Sequence, residues 1–188
     1  MRNARGLSSA ALALSLVLSL GACGVNSGGE PPAAVASLDL GRYQGHWFEL
    51  AKYPNRFQTQ CAGDTTADYE LLPDGAVQVT NRCRTAGGAT DQAVGRAERP
   101  DAGSEGRLKV RFAPRWLSWL PFVWGDYWVI DLDPDYSLAA VSDPKREFLW
   151  ILSRSPSVDS ARYSELIGRL RQSRFDTSRI VMTQQSGS

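Results

Sequence analysis

Thr65-Thr66-Ala67-Asp68-Tyr69-Glu70-Leu71, then Leu72-Pro73-Asp74-Gly75, then Val77-Gln78-Val79-Thr80-Asn81-Arg82 is the stretch that decides the fold. In the first run Thr65, Ala67, Tyr69 and Leu71 share one face, with Thr66, Asp68 and Glu70 on the other. In the last run Val77, Val79 and Asn81 oppose Gln78, Thr80 and Arg82. A period of two is the signature of a half-buried strand. Between the runs, Pro presets φ and Gly supplies positive φ, so the chain reverses there. The segment predicts an antiparallel hairpin.

The same grammar continues outward. Trp47 to Tyr53 precedes the hairpin as a first strand. After Gly87-Gly88, Gln92 to Glu98 sets small Ala93, Gly95 and Ala97 against Gln92, Arg96 and Glu98. Past a turn at 100–106, Leu108, Val110 and Phe112 alternate with Arg107, Lys109 and Arg111. Tyr127 to Leu132, Ser137 to Val141 and Glu147 to Ser153 follow, separated by Asp133-Pro134-Asp135 and Asp143-Pro144-Lys145. Eight strands on short links cannot be parallel, because parallel neighbours need long crossovers. The pattern predicts an all-β fold, an eight-stranded antiparallel up-and-down barrel, which removes its own edges. A sandwich of the same strands is the alternative. One helix follows: Ser157 or Asp159 can cap it, and Tyr163, Leu166, Ile167 and Leu170 form a narrow apolar stripe suited to packing on the barrel wall. A short extended run, Arg179 to Thr183, comes last.

The N-terminal stretch has a different character. Arg2 and Arg5 precede an apolar run, Leu7 to Leu20, that is short for a bilayer span and has the form of a signal-peptide core. It ends in Leu20-Gly21-Ala22-Cys23, which resembles the lipobox of bacterial lipoproteins. Residues 1–22 are expected to be a lipoprotein signal peptide, and Cys23 the lipidated residue. Residues 23–37, rich in Gly, Pro, Ser and Ala, are expected to be a flexible tether, with the folded domain at 38–188. Loss of the two arginines takes the formal charge from +1 to −1, which gives no general attraction to nucleic acid. Gly24, rather than Asp, follows the lipidation position; that favours outer-membrane residence on the periplasmic side in a host with two membranes.

Export leaves Cys61 and Cys83 as a pair in an oxidising compartment. A disulfide across the base of the hairpin is the first expectation and two buried thiols the alternative. Two Cys and the lone His46 do not make a metal site.

Three blocks add a family resemblance. Arg42-Tyr43-Gln44-Gly45-His46-Trp47-Phe48-Glu49-Leu50-Ala51 contains the Gly-x-Trp of lipocalins. It is similar to the opening of bacterial outer-membrane lipocalins and of the related apolipoprotein D group. Leu132-Asp133-Pro134-Asp135-Tyr136, ahead of Ala139-Ala140-Val141, and Leu149-Trp150-Ile151-Leu152-Ser153-Arg154 resemble the second and third blocks in family order. The resemblance implies that Trp47 closes the barrel base with the guanidinium of Arg154 stacked on it, a structural pair, and that Gly45 permits a close approach there.

With Arg154 facing Trp47, alternation puts Leu152, Trp150 and Phe148 inside. Ala67 and Tyr69, then Val77, Val79 and Asn81, then Ala93, Gly95 and Ala97, then Val110 and Phe112 join them. The resemblance implies a ligand chamber lined at Tyr69, Asn81, Phe112, Trp150 and Leu152. Ala67, Val79 and Phe148 complete the candidate set on alternation. Cys83 stands where the family has a polar residue. The small residues leave volume for a ligand unless aromatic side chains opposite fill it.

The segment 115–124, with Trp116, Trp119, Phe122 and Trp124, would sit at the open end. It reads as a lid, as a wedge into the lipid interface, as a contact in a homodimer, or as a loop packed on its own barrel. No phosphate loop, serine triad or internal haem ligand is visible, and no cofactor is expected. Glu49 points inward, where a carboxylate more often pairs with an arginine than acts as a base. The expected function is binding, and carriage or storage, of fatty acids, lysophospholipids or similar small lipids at the bacterial envelope, without catalysis. An envelope enzyme acting on a lipid or isoprenoid is the alternative, and a barrel with a filled interior the third reading.

Overall fold

The structure is a computed structural model that describes residues 29–103, 105–114, 117–118, 120 and 123–186. Eight strands run in chain order: β1 (Gly45–Lys52), β2 (Cys61–Leu71), β3 (Val77–Thr85), β4 (Thr90–Glu98), β5 (Arg107–Arg111), β6 (Gly125–Leu132), β7 (Leu138–Ser142) and β8 (Leu149–Ser153). Each pairs antiparallel with its neighbour, and β1 pairs with both β8 and β2, so the sheet closes on itself. That closure excludes the sandwich. Tyr69 lies opposite Val79 and Ala67 opposite Asn81, the register that the alternation of the hairpin requires. Leu72 receives the return of the chain from Ala76, and Gly75 takes φ +83° in the turn.

Cys61 and Cys83 are joined in a disulfide with their Cα atoms 5.5 Å apart. The β2–β3 register shifts twice between Cys61 and Thr66, and these bulges bend the start of β2 toward Cys83.

Two apolar clusters lie on either side of the sheet. The inner one holds Trp47, Ala67, Tyr69, Val77, Val79, Ala97, Leu108, Val129, Val141 and Leu152. It also takes Leu38, together with Leu40 and Tyr43 from an element that alternation did not reveal, the single-turn helix α1 (Leu40–Tyr43). Asp39 caps α1 by accepting from the amides of Gly41 and Arg42. Val35, within the stretch read as tether, donates its amide to the Val129 carbonyl at 2.8 Å and packs on this cluster. A Cβ on Gly106 would run into Val35.

The outer cluster lies under α2 (Ser160–Gln172). Asp159, not Ser157, caps that helix, and Leu166 and Leu170 are buried against Leu50, Leu138, Ala140, Leu149 and Ile151. Burying each leucine contributes about 1.5–3 kcal/mol. The stripe is thus used up on the barrel wall.

The final extended run is shorter and more involved than expected. A 3₁₀ turn at Thr177–Arg179 leads into β9 (Val181–Met182), which pairs with Ala51 and Lys52 of β1. β1 and β2 pair only as far as Phe48 and Thr66. Beyond that point the C-terminal segment fills the seam. Thr183 donates to the Leu50 carbonyl at 2.9 Å, Asp64 donates to the Gln184 carbonyl at 2.7 Å, and the Gln185 amide bridges the Glu49 and Thr65 carbonyls. Gly63 is needed here, since a Cβ would stand 2.9 Å from the Gln184 carbonyl oxygen.

Candidate ligand chamber

One continuous row of inner residues crosses four strands: Trp47 on β1, Ala67 on β2, Asn81 on β3 and Ala93 on β4. Tyr69, Val79 and Gly95 form the next row toward the base. Burial changes along the axis. Ala67, Tyr69, Val79 and Leu152 are buried; Asn81, Phe148 and Trp150 are half-buried; Ala93 is exposed and Phe112 is 44% exposed. An inner face that becomes accessible toward one end is a cup, closed at the base and open at the mouth.

The base is closed by Arg154. Its guanidinium carbon lies 4.0 Å over the Trp47 ring. Nη2 donates to the carbonyls of Arg42, Tyr43 and Gln44 at 2.9, 3.0 and 2.8 Å, and Nη1 donates to His46 at 2.8 Å. These carbonyls lie at the end of α1 and the entry to β1, and the Tyr43 carbonyl also accepts from Trp47 Nε1 at 2.8 Å, so the cation and the indole it covers share the C-terminal end of the helix. Gly45 sits at φ +96°, where a Cβ would approach Arg154 Nη1 to 3.3 Å. Burial draws the Arg154 guanidinium down from its usual value.

Above Trp47 three phenols meet. Tyr127 Oη stands 2.8 Å from Tyr43 Oη and 2.8 Å from Tyr69 Oη. Burial pushes all three well above the ordinary tyrosine value, so they remain neutral hydroxyls. Sequence reasoning missed this triad. Alternation put Tyr69 inside and would have put Tyr127 there too, but nothing local tied them to Tyr43.

At the mouth the rings of Phe148 and Trp150 stack with centroids 5.8 Å apart, and Phe57 lies 5.4 Å beyond Phe148. Trp150 Nε1 donates to Gln58 Oε1 at 2.9 Å, and Gln58 Nε2 donates to Glu49 Oε2 at 2.6 Å. Thr183 Oγ1 donates to Glu49 Oε1 at 2.6 Å, and Lys52 Nζ lies 3.1 Å from the same oxygen. Glu49 is therefore buried and paired, but with a lysine of its own strand rather than an arginine. Three donors hold this carboxylate in place, and it braces the mouth. Gln58, also missed, comes from the β1–β2 loop, a segment without periodicity.

The small residues do not all leave space. A Cβ on Gly95 would stand 2.7 Å from Phe112 Cδ1 and 2.8 Å from the Arg111 carbonyl oxygen, so the Phe112 ring occupies the place of the missing side chain. Arg111, expected on the solvated face, is buried, with its guanidinium 5.1 Å over Trp124. Trp124 Nε1 donates to the Ser118 carbonyl at 2.8 Å. Cys23, Trp116, Trp119 and Phe122 lie outside the described residues. Among the described residues no three His, Cys, Asp or Glu side chains gather as a metal site. His46 is exposed, with Nδ1 2.7 Å from Asp68 Oδ1.

Comparison with known proteins agrees with this architecture. The chain is 34% identical over 176 residues to the outer membrane lipoprotein Blc of Vibrio cholerae, covering 93% of this chain and 96% of that one. It is 40% identical over 154 residues to the temperature-induced lipocalin-1 of Arabidopsis thaliana, covering 81% and 82%. Among solved structures, insecticyanin from the tobacco hornworm Manduca sexta superposes with a TM-score of 0.64 at 22% identity, over 84% of each chain. Residues 38–185 match the lipocalin-like domain, and the chain is a member of the lipocalin family.

Proposed function

We propose that this lipocalin is a lipid-anchored binder and carrier of small hydrophobic molecules, fatty acids or lysophospholipids among them, at the periplasmic side of the outer membrane. The observation that carries this is the graded inner face: a floor closed by Trp47 and Arg154 under a mouth ringed by Phe112, Phe148 and Trp150, with the buried carboxylate of Glu49 already paired. An acyl chain entering such a cup exchanges water for aromatic and aliphatic walls, at about 0.8 kcal/mol for each methylene buried. Asn81, half-buried beside Ala67 and Ala93, is the polar group nearest the middle of the chamber wall. Relatives named as outer membrane lipoproteins support the location, as does the Cys23 lipobox.

Titration with a fluorescent fatty acid tests the assignment. Trp150→Ala is expected to weaken binding roughly tenfold, as loss of a large apolar contact should. Arg171→Ala, on the exposed side of α2, should leave binding unchanged. Equal affinity in the parent and the Trp150 variant would place the ligand outside the barrel.

A further inference from the structure

The hydroxyl triad at the chamber floor has one hydrogen too many for its own needs. Each phenol carries one donor. The two contacts, Tyr43 to Tyr127 and Tyr127 to Tyr69, consume two of the three hydrogens. None of the three hydroxyls has a further hydrogen-bond partner among the described residues. However the chain is polarised, one O–H is left over. If Tyr43 and Tyr69 both donate to Tyr127, the spare hydrogen is on Tyr127; otherwise it is at one end. A buried donor without an acceptor is costly, and hydrogen bonds in series strengthen the terminal one.

Tyr127 is inward-facing, opposite Leu108 and one step along β6 from Gly125, and it is only half-buried. Tyr43 and Tyr69 are 2% and 7% exposed, so Tyr127, partly buried against the inner cluster, is the member of the triad that retains accessible surface. The nearest cation below it, Arg154, is committed to backbone carbonyls, and Glu49 lies close enough to Tyr69 to act on it electrostatically. For a second carboxylate on the floor, Arg154 is already committed to backbone carbonyls and Lys52 to Glu49, so neither is free to offset its charge. A neutral oxygen meets no such penalty.

We propose that the Tyr43–Tyr127–Tyr69 triad is a polar-anchor subsite that accepts the neutral carbonyl oxygen of an elongated apolar ligand. This rests on the barrel being the binding chamber, as proposed above. The ligand enters oxygen first: its carbonyl takes the spare tyrosine hydrogen at the floor, and its hydrocarbon body extends past Asn81 toward Phe112 and Trp150. The lipocalin thus discriminates among apolar molecules by what stands at their leading end.

The probe is 2-dodecanone labelled with ¹³C at the carbonyl, added to the purified full-length protein and followed by isotope-edited infrared spectroscopy. The bound carbonyl band should lie below its position in a hydrocarbon solvent, as a hydrogen-bonded ketone does. In the Tyr43→Phe/Tyr69→Phe/Tyr127→Phe variant the band should return to the hydrocarbon-solvent position, and affinity should fall roughly two- to tenfold. Replacing the whole triad by isosteric rings removes every donor and acceptor together, so the fold should survive. Should the triple variant not fold, the tyrosine C–O stretch of the unaltered protein decides. It should shift on addition of 2-dodecanone and not on addition of dodecane. A band that is the same in parent and variant overturns the proposal, as does an unmoved tyrosine stretch on ketone binding. Failure of the fluorescent fatty acid and of both dodecyl probes to bind would instead overturn the barrel as the site.

Discussion

Arg154 provides the most demanding test of how the barrel is closed. Its guanidinium spans three backbone carbonyls with one nitrogen, reaches His46 with another, and lies 4.0 Å above the Trp47 ring. Truncation to alanine removes all of these contacts, while the Tyr43 carbonyl keeps the Trp47 Nε1 donor at 2.8 Å. The carbonyls of Arg42, Gln44 and His46 lie at exposed positions, and water can replace the lost donor there. The Tyr43 carbonyl is less accessible. Its charge-assisted bond is worth about 1.5–3 kcal/mol, and the cation over the indole adds about 0.5–2 kcal/mol. Arg154→Ala should therefore destabilise the domain by about 2–5 kcal/mol, lowering Tm by about 4–20 °C. Urea unfolding followed by tryptophan fluorescence measures it, with an unchanged slope as the sign that only stability has moved. Arg154→Lys separates charge from geometry. Lysine keeps the cation but has no planar fork to reach several carbonyls from above a ring, so it should recover less than half of the loss. A lysine variant as stable as the parent, or an alanine variant costing under about 1 kcal/mol, would refute this view of the base.

Two further outcomes are expected. Gly95→Ala should cost about 1–3 kcal/mol in urea unfolding through overpacking, and Phe112→Ala in the same chain should restore only part of it, because the Arg111 carbonyl stays in the way; no loss on Gly95→Ala would mean that the ring yields freely. Asp64 anchors the C-terminal segment through the Ser186 amide and hydroxyl. Its hydrogen bond with Arg84, the largest influence, holds its carboxyl down at about 2. A carboxyl depressed in the folded state stabilises above its ordinary value and loses that contribution as pH falls through the folded one. The amide NMR signals of residues 184–186 should therefore move toward unfolded positions between about pH 4 and pH 2. Asp64→Asn should show the same change at neutral pH, and a segment indifferent to both would remove the anchor.

The sequence alone determined what depends on periodicity and on local chemistry. Alternation from Thr65 to Arg82 set which side chains face inward, and the Leu72–Gly75 turn set the antiparallel return. Short links made the barrel the economical closure, and the stripe from Tyr163 to Leu170 named the face of the helix that is buried. The expectation of export made a Cys61–Cys83 disulfide the first reading, with two buried thiols as the alternative, and the structure joins them. The pairing of Arg154 with Trp47 was legible only through family resemblance, since 107 residues separate them and no periodicity links a cation to an indole across a barrel. Tertiary structure alone decided what meets across the interior. Alternation assigns a residue to a face but not to an opposite neighbour, because curvature and strand stagger choose that neighbour. Thus Tyr43, from a one-turn helix, reaches Tyr127 and Tyr69, and Phe112 lies where Gly95 lacks a side chain. Gln58 hangs into the mouth from an aperiodic loop, and the tail from Val181 to Ser186 fills a seam that exists only because β1 and β2 part company after Phe48 and Thr66.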